Sequence, residues 1–360
     1  MSRPRPVADY PVEPNFSTHV FKVIHGVEIT LRIWPGDPLP GNRPGPWILY
    51  AHGGAWGFGK NQLPNAWFVP GFRPRGYHFV GIGYRKTPQV WMGEILEDAM
   101  DAFNWCRTHL GELLGEEKID INRYVLAGES AGAYIALMLA AKLSGKENQT
   151  IPRPRAVVSC YAPTDLVQGL GTGCEALGWW PSGEFTQQEI DEHVSDQDPA
   201  HAIALCPEEY NLDVEVLQEQ WQDPTVVFTP RLRLQYETTK YLTTSGNLME
   251  VVLRTKQFSN NPEEDIRHRK LFSPLYLIDQ LDWFPPTYFF NGLLDAAVRY
   301  DVHLLPFREK LLAKGVPTLI SLHQEDGHGF DNKFVSKSSP SWERYVVPAL
   351  KFVEEFTYKD

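Results

Sequence analysis

The chain has 360 residues and a formal net charge of −11, because 45 acidic side chains outnumber 34 basic ones. This balance argues against a nucleic-acid-binding protein, which needs a basic face to neutralise phosphates. Hydrophobic residues make up 42% of the chain, which is enough for a packed core and excludes general disorder.

Two alternating runs, Val20–Ile24 and Val27–Trp34, are separated by His25-Gly26 and predict an antiparallel hairpin. The apolar runs that follow do not alternate, which is typical of strands buried on both faces. There are six of them: Trp47–Ala51, His78–Ile82, Tyr124–Ala127, Ala156–Cys160, Thr287–Phe290 and Thr318–Leu322.

Helical patterns lie between these runs. Met92–Leu110 has apolar side chains at helical spacing, Ala131–Leu143 is almost wholly apolar, and a third helix ends at Gly315. The alternation of strand and helix predicts an α/β fold with a mostly parallel, doubly wound sheet.

One long segment interrupts this alternation. It is acidic in its first part, since 14 acidic residues and neither Lys nor Arg lie between Ala156 and Thr229. A segment of this length cannot be a plain loop, so we expect a large, mainly helical cap over the carboxyl edge of the sheet. The predicted organisation is an α/β core in two parts, 1–165 and 282–360, with the cap at 166–281. Aromatic residues in the cap suggest a bulky apolar or aromatic substrate, although such residues more often form a cap's own core: Trp179, Trp180, Tyr210, Trp221, Tyr236 and Tyr241.

The motif Gly128-Glu-Ser-Ala-Gly132 lies between a predicted strand and the apolar helix. In this context G-x-S-x-G predicts a nucleophile elbow, a tight turn that exposes Ser130 for attack on a carbonyl carbon. The alternative is that Ser130 merely caps the helix.

A second glycine motif, His52-Gly-Gly-Ala-Trp56, follows an earlier strand. The backbone N–H groups of Gly53, Gly54 and Ala55, together with that of Ala131, are predicted to form an oxyanion hole. An ordinary glycine turn is the alternative. Because His52 precedes the nucleophile in the chain, we expect it to be structural rather than the catalytic base.

The base and its orienting acid are expected after the last two strands, in the order Ser, acid, His. Asp295 and His328 occupy these positions. Asp301 and Asp326 are rival acids. We rank them below Asp295, because Asp301 lies within the following helix and Asp326 is too close to His328 in sequence to reach its far ring nitrogen.

These motifs together resemble the hormone-sensitive-lipase-like (alpha/beta hydrolase fold-3) esterase family, whose relatives include arylacetamide deacetylases and kynurenine formamidases. The resemblance covers Trp47–Pro163 and Ser273–Phe330, and it implies an α/β-hydrolase fold. Its departures are Ala55 in place of a third glycine, an Asp-Ala-Ala sequence at the acid, and the long acidic insertion. Further matching motifs are Gly83-Tyr-Arg-Lys-Thr-Pro88, Glu97-Asp-Ala-Met100 with Asn104-Trp105, Pro285-Pro-Thr287 with Gly292-Leu-Leu-Asp295, and Gly327-His-Gly-Phe330.

The leading hypothesis is a serine hydrolase that cleaves a carboxylic ester through an acyl-enzyme, without cofactor or metal. An amidase, a formamidase, or a biosynthetic acyl hydrolase or transferase with the same triad remains open, and so does a non-catalytic ligand-binding module. The expected partner is a small-molecule ester or amide, and a homodimer is left open.

Two sequence features bear on the cellular location. No secretion signal and no run of 18 apolar residues occurs, so we expect a cytoplasmic protein without a membrane span. The cysteines show no metal-ligand spacing and are predicted to be buried free thiols: Cys106, Cys160, Cys174 and Cys206.

Overall fold

The computed structural model describes residues 15–59, 64–148, 150–173, 183–204, 229–333, 337 and 340–358. Within these residues eight strands form one sheet in the order β1-β2-β4-β3-β5-β6-β7-β8. Only the pairs β1/β2 and β2/β4 are antiparallel. The predicted mostly parallel sheet is therefore confirmed. The strands are β1 Ser17–Ile24, β2 Val27–Trp34, β3 Gly45–Ala51, β4 His78–Ile82, β5 Ile119–Glu129, β6 Ala156–Cys160, β7 Thr287–Gly292 and β8 Thr318–His323.

The predicted hairpin is β1/β2, and its turn is His25-Gly26. Both turn residues are left-handed, with φ of 51° and 79°. Two left-handed residues match the twist of the flanking strands, which explains why this pair can join them directly.

The six apolar runs all lie in strands. β3, β4, β6 and β7 are buried throughout, as expected. For β5 this holds for the run Tyr124–Ala127, whereas the strand's first half is partly exposed. The expectation is wrong for β8, which is partly exposed along its length. Among the described residues it is the last strand in the sheet order and pairs only with β7, so one of its edges has no neighbouring strand there.

Helices cover both faces of the sheet. On one face α2 and α3 share a core with β3 and β5, and on the other face α1 and α11 do so. The helices are α1 Phe68–Phe72, α2 Met92–Leu114, α3 Ala131–Ser144, α4 Gln187–Ser195, α5 Pro230–Ser245, α6 Leu248–Val252, α7 Thr255–Phe258, α8 Pro262–Leu271, α9 Pro274–Leu277, α10 Leu305–Ala313 and α11 Val347–Thr357. None of the helices in the described ranges is long and apolar enough to cross a membrane.

The insertion interrupts the chain but not the sheet. β6 and β7 pair directly, with Val157 opposite Thr287, although α4 to α9 lie between them in sequence. The described part of this segment is helical and contains no strand. The boundaries 166 and 281 remain a prediction, and Trp179, Trp180, Tyr210, Trp221, Cys174 and Cys206 lie outside the described residues. Cys106 and Cys160 are buried free thiols.

Candidate active site

Ser130 stands alone between the end of β5 and the start of α3, with φ 50° and ψ −121°. The two motif glycines make this turn sterically feasible. A Cβ atom on Gly128 would lie 2.5 Å from the backbone carbonyl of Gly132, and one on Gly132 would lie 2.0 Å from the carbonyl oxygen of Ala51. The motif therefore has the strained geometry of a nucleophile elbow, and the spacing of its glycines has a steric cause.

Three loops at the carboxyl edge of the sheet bring Ser130, Asp295 and His328 together. His328 Nε2 lies 2.9 Å from Ser130 Oγ, and His328 Nδ1 lies 2.8 Å from Asp295 Oδ2. The other carboxylate oxygen, Asp295 Oδ1, accepts the N–H groups of Ala297 and Val298 at 3.0 and 2.8 Å. These two bonds hold the carboxylate with its second oxygen against the imidazole.

The surroundings of His328 favour the protonated, positively charged form of its imidazole. Burial by itself lowers the pKa of His328, but the charge and hydrogen bond of Asp295, assisted by the charges of Glu129 and Asp331, raise that pKa above its ordinary value. A carboxylate at Nδ1 also assigns the neutral tautomer, because Nδ1 must donate to it. Nε2 is then free of hydrogen and able to accept the proton of Ser130.

The rival acids are engaged elsewhere. Asp301 forms an exposed ion pair with Arg299 at 2.6 Å. Asp326 Oδ2 lies 2.9 Å from Nδ1 of His323, at the end of β8. Of the three candidate acids, Asp295 is therefore the one whose carboxylate contacts His328.

Residues 52–59, which we call the HGG loop, run beside the elbow. A Cβ atom on Gly53 would lie 3.3 Å from Ser130 Cβ, so the loop and the serine are in contact. Gly54, Ala55 and Trp56 are all left-handed, with φ of 112°, 50° and 58°. Three such residues in succession reverse the chain tightly after β3.

The carbonyl groups of this loop are held by specific bonds. Gly53 O accepts from His52 Nδ1 at 2.6 Å, and Gly54 O accepts from the N–H groups of Gly57 and Phe58, both at 3.0 Å. In a trans peptide the N–H group points opposite to its carbonyl group. The amides of Gly54 and Ala55 therefore point away from these bonds, as donors to a bound oxyanion would need to do.

The amide of Gly53 differs from its neighbours. It donates to Glu129 Oε1 at 3.3 Å. Because this amide already has an acceptor, Gly53 is a weaker candidate oxyanion donor than Gly54 and Ala55. The remaining candidate, Ala131, is the first residue of α3, where backbone N–H groups have no partner within the helix.

His52 supports the loop through both ring nitrogens. Nδ1 contacts Gly53 O, and Nε2 lies 2.8 Å from Lys86 Nζ. Since an ammonium group only donates, Nε2 accepts and Nδ1 carries the proton. Burial, followed by the charge of Lys86, lowers the pKa of His52 well below its ordinary value. The ring also stacks on Tyr84 at a centroid distance of 4.4 Å.

Sequence reasoning missed a buried polar network behind the site. The hydroxyl group of Tyr161 lies 2.7 Å from Asp331 Oδ1 and 3.2 Å from Glu129 Oε2, and its ring packs edge-on against His328. Asn65 and Trp67 donate to Asp331 Oδ2 at 2.6 and 2.8 Å.

Burial raises the pKa of both carboxyl groups in this network, Glu129 and Asp331. Burial, with the charge of Asp331, raises the pKa of Glu129 to about 7, against hydrogen bonds from Gly53, Tyr50 and Tyr161. Glu129 lies within the motif Gly128–Gly132, and Asp331 directly follows the motif Gly327-His-Gly-Phe330. These two positions were the available signal in the sequence. Nothing in the local sequence pointed to Asn65.

Comparison with known proteins gives a consistent result. A model of the alpha/beta hydrolase fold family matches residues 48–176. An ethyl acetate hydrolase of Pseudomonas putida is 29% identical over 37% of this chain and 43% of its own length. The non-reducing polyketide synthase Preu6 of Preussia isomera is 25% identical over 92% of this chain but only 14% of its own length. The chain thus spans less than half the length of these curated relatives.

Solved structures show the same architecture. Esterase LipW from Mycobacterium marinum superimposes with a TM-score of 0.59 at 17% identity, covering 98% of this chain and 86% of that one. Thermogutta terrifontis esterase 2 has a TM-score of 0.57 at 16% identity, over 97% and 98% of the two chains.

The sheet order, the elbow and these matches define an α/β hydrolase fold. The resemblance stated from the sequence motifs is confirmed at this level, since residues 48–176 match the model of the alpha/beta hydrolase fold family. The likeness to arylacetamide deacetylases and kynurenine formamidases stays a prediction.

Proposed function

We propose that the protein is a serine hydrolase of the carboxylesterase type. One observation carries this proposal: an unbroken hydrogen-bonded chain runs from Ser130 Oγ through both nitrogens of His328 to Asp295. Ser130, at its strained elbow position, would be the nucleophile, His328 the general base, and Asp295 the group that fixes the His328 tautomer.

In the proposed reaction His328 Nε2 takes the proton of Ser130 while Oγ attacks the ester carbonyl carbon. The N–H groups of Gly54, Ala55 and Ala131 would stabilise the oxyanion. His328 then returns its proton to the leaving alkoxide, and the alcohol departs to leave an acyl-serine. Water, deprotonated by the same nitrogen, attacks the acyl carbon. As the second intermediate collapses, His328 returns this proton to Ser130 Oγ, which releases the acid and restores both residues.

For the substrate we propose a carboxylic ester of small to medium size with an apolar or aromatic group. The similarity to an ethyl acetate hydrolase supports a small ester. Aromatic residues in the insertion favour an apolar group, although such residues more often form a cap's own core.

The test is a panel of p-nitrophenyl esters of increasing acyl length, with a matched formanilide and aryl formate, on wild type, Ser130→Ala and Ser144→Ala. Ser144 closes the same helix and donates to the Ala140 carbonyl, so it is a matched control. We expect Ser130→Ala to lose at least roughly a thousandfold in kcat/KM and all fluorophosphonate labelling, and Ser144→Ala to keep both. Wild-type turnover by Ser130→Ala would refute the mechanism, and a formanilide preferred over the aryl formate would indicate an amidase.

A second candidate is acyl transfer in a biosynthetic pathway. It is favoured by the similarity, over 92% of this chain, to part of a polyketide synthase. An acyl thioester supplied with an excess of an alcohol or amine acceptor separates the two reactions. Mass spectrometry would find the free acid if water is the acceptor, and the new ester or amide if acyl transfer dominates.

A further inference from the structure

Helix α5 of the insertion lies directly against the HGG loop. A Cβ atom on Gly57 would be 2.2 Å from Thr239 Oγ1 and 2.7 Å from Thr239 Cγ2, so no space separates the loop backbone from the helix. The rings of Phe58 and Tyr236 pack at a centroid distance of 5.5 Å. The insertion therefore packs against and supports this loop, in addition to its predicted role of covering the substrate.

Gln235 lies at the centre of this contact and is 1% exposed. Its Nε2 donates to the carbonyl oxygens of Gly57 and Thr87, both at 2.6 Å. Two carbonyl acceptors assign the amide orientation, because only the NH₂ group can face them. Gln235 Oε1 then faces His193 Nε2 at 2.9 Å, and His193 must donate to it.

The two carbonyl groups belong to segments that are already joined. Thr87 N donates to Trp56 O at 3.0 Å, which ties the 84–88 stretch to the HGG loop. Gln235 thus links the insertion to two adjoining segments of the core. A buried amide with both protons and its oxygen satisfied is costly to disrupt, because each orphaned partner loses a bond that water cannot replace.

Hydrogen bonds connect Gln235 to the candidate oxyanion donors. Gln235 holds the carbonyl group of Gly57, and the N–H group of Gly57 donates to Gly54 O. That bond orients the peptide unit whose N–H group belongs to Ala55. We propose that Gln235 is a positioning residue, through which the insertion holds the N–H group of Ala55 in place to stabilise the oxyanion. This inference rests on the proposed function in taking that amide as an oxyanion donor.

The kinetic test uses Gln235→Glu, which keeps the side-chain shape but removes donors to both carbonyls when ionised, and Gln235→Leu as a second variant. The matched control is Thr243→Val, about two turns further along α5, where the Thr243 hydroxyl donates to Thr239 O within the helix. We expect both Gln235 variants to lose about 10- to 100-fold in kcat per fluorophosphonate-titrated site, with little change in KM. Binding of a trifluoromethyl ketone, which imitates the tetrahedral adduct, should weaken by a similar factor.

A measurement independent of catalysis completes the test. Hydrogen–deuterium exchange at the amides of Gly57 and Phe58 should quicken in both Gln235 variants but not in Thr243→Val. If the wild-type protein hydrolyses no ester, the proposed function fails. Hydrogen–deuterium exchange alone then decides whether Gln235 holds the HGG loop. Unchanged exchange, or an unchanged per-site kcat in an active enzyme, would overturn the inference.

Discussion

The carboxylate of Asp295 is held by two backbone amides and the imidazole of His328. This arrangement gives the acid two separate effects on its neighbour. It assigns the proton to Nδ1, and it raises the pKa of His328 against the effect of burial. A single substitution can therefore be tested through both rate and pH dependence.

We expect Asp295→Asn to lower kcat by roughly 10²- to 10⁴-fold, because an amide can neither stabilise the imidazolium nor enforce the tautomer. The acid limb of kcat/KM against pH should also shift. In wild type, activity rises with pH as His328 loses its proton, and the carboxylate of Asp295 raises the pKa of that step. Without the charge His328 releases its proton more readily, so the acid limb of the variant should lie at lower pH.

Asp301→Asn is the control for this prediction. Asp301 is also an acid after β7, but it forms a surface pair with Arg299. Its removal should leave both kcat and the acid limb unchanged. An Asp295→Asn profile whose acid limb stayed in place or moved to higher pH would contradict the assignment of Asp295.

At the scale of elements, the elbow depends on how closely α3 approaches the end of β3. The helix begins at Ala131, and Gly132 lies against the carbonyl groups of Ala51 and His52. Backbone atoms cannot move aside as a flexible side chain can. The same contact brings the HGG loop beside Ser130.

Gly132→Ala should therefore destabilise the protein by about 1–3 kcal/mol, the usual cost of overpacking a dense interior. Gly145→Ala, just beyond the other end of α3, is the matched control. There the three heavy atoms nearest to an added Cβ atom all belong to the flexible carboxylate of Glu147, the first at 2.6 Å, and φ is −66°. Urea unfolding of the two variants measures the difference, and equal stabilities would contradict the steric argument.

For the whole molecule, the main electrostatic feature is the uneven charge along the chain. The 14 acidic residues between Ala156 and Thr229 exceed the net charge of −11. If this segment covers the site, its field should attract cationic and repel anionic substrates. Such an effect between exposed charges weakens once salt shortens the Debye length.

A pair of isosteric esters tests this idea, with acetylcholine as the cation and 3,3-dimethylbutyl acetate as the neutral partner. We expect the cationic ester to have the higher kcat/KM at low ionic strength. The ratio of the two values should fall towards one as NaCl is raised to about 0.5 M. A ratio that does not change with salt would show that the acidic segment exerts no field at the site.

Several parts of the fold and site were predictable from sequence because their signals are local. The buried strands appear as continuous apolar runs, and the hairpin turn needs residues that tolerate positive φ, such as Gly26. Ser130 is recognisable because its turn is possible only with glycine at 128 and 132. Asp295 and His328 follow from the order of strands, since loops after parallel strands meet at one edge.

Other features depend on which distant segments come into contact. The sequence by itself determined the strand–helix alternation, the elbow and the two strand-end loops, because periodicity and glycine act within a few residues. Only the tertiary structure decided that Asp295 rather than Asp301 or Asp326 contacts His328, that Tyr161 lies between Glu129 and Asp331, and that Gln235 supports Gly57. These contacts join residues 32 to 178 positions apart, and no local pattern encodes a distance across the folded chain.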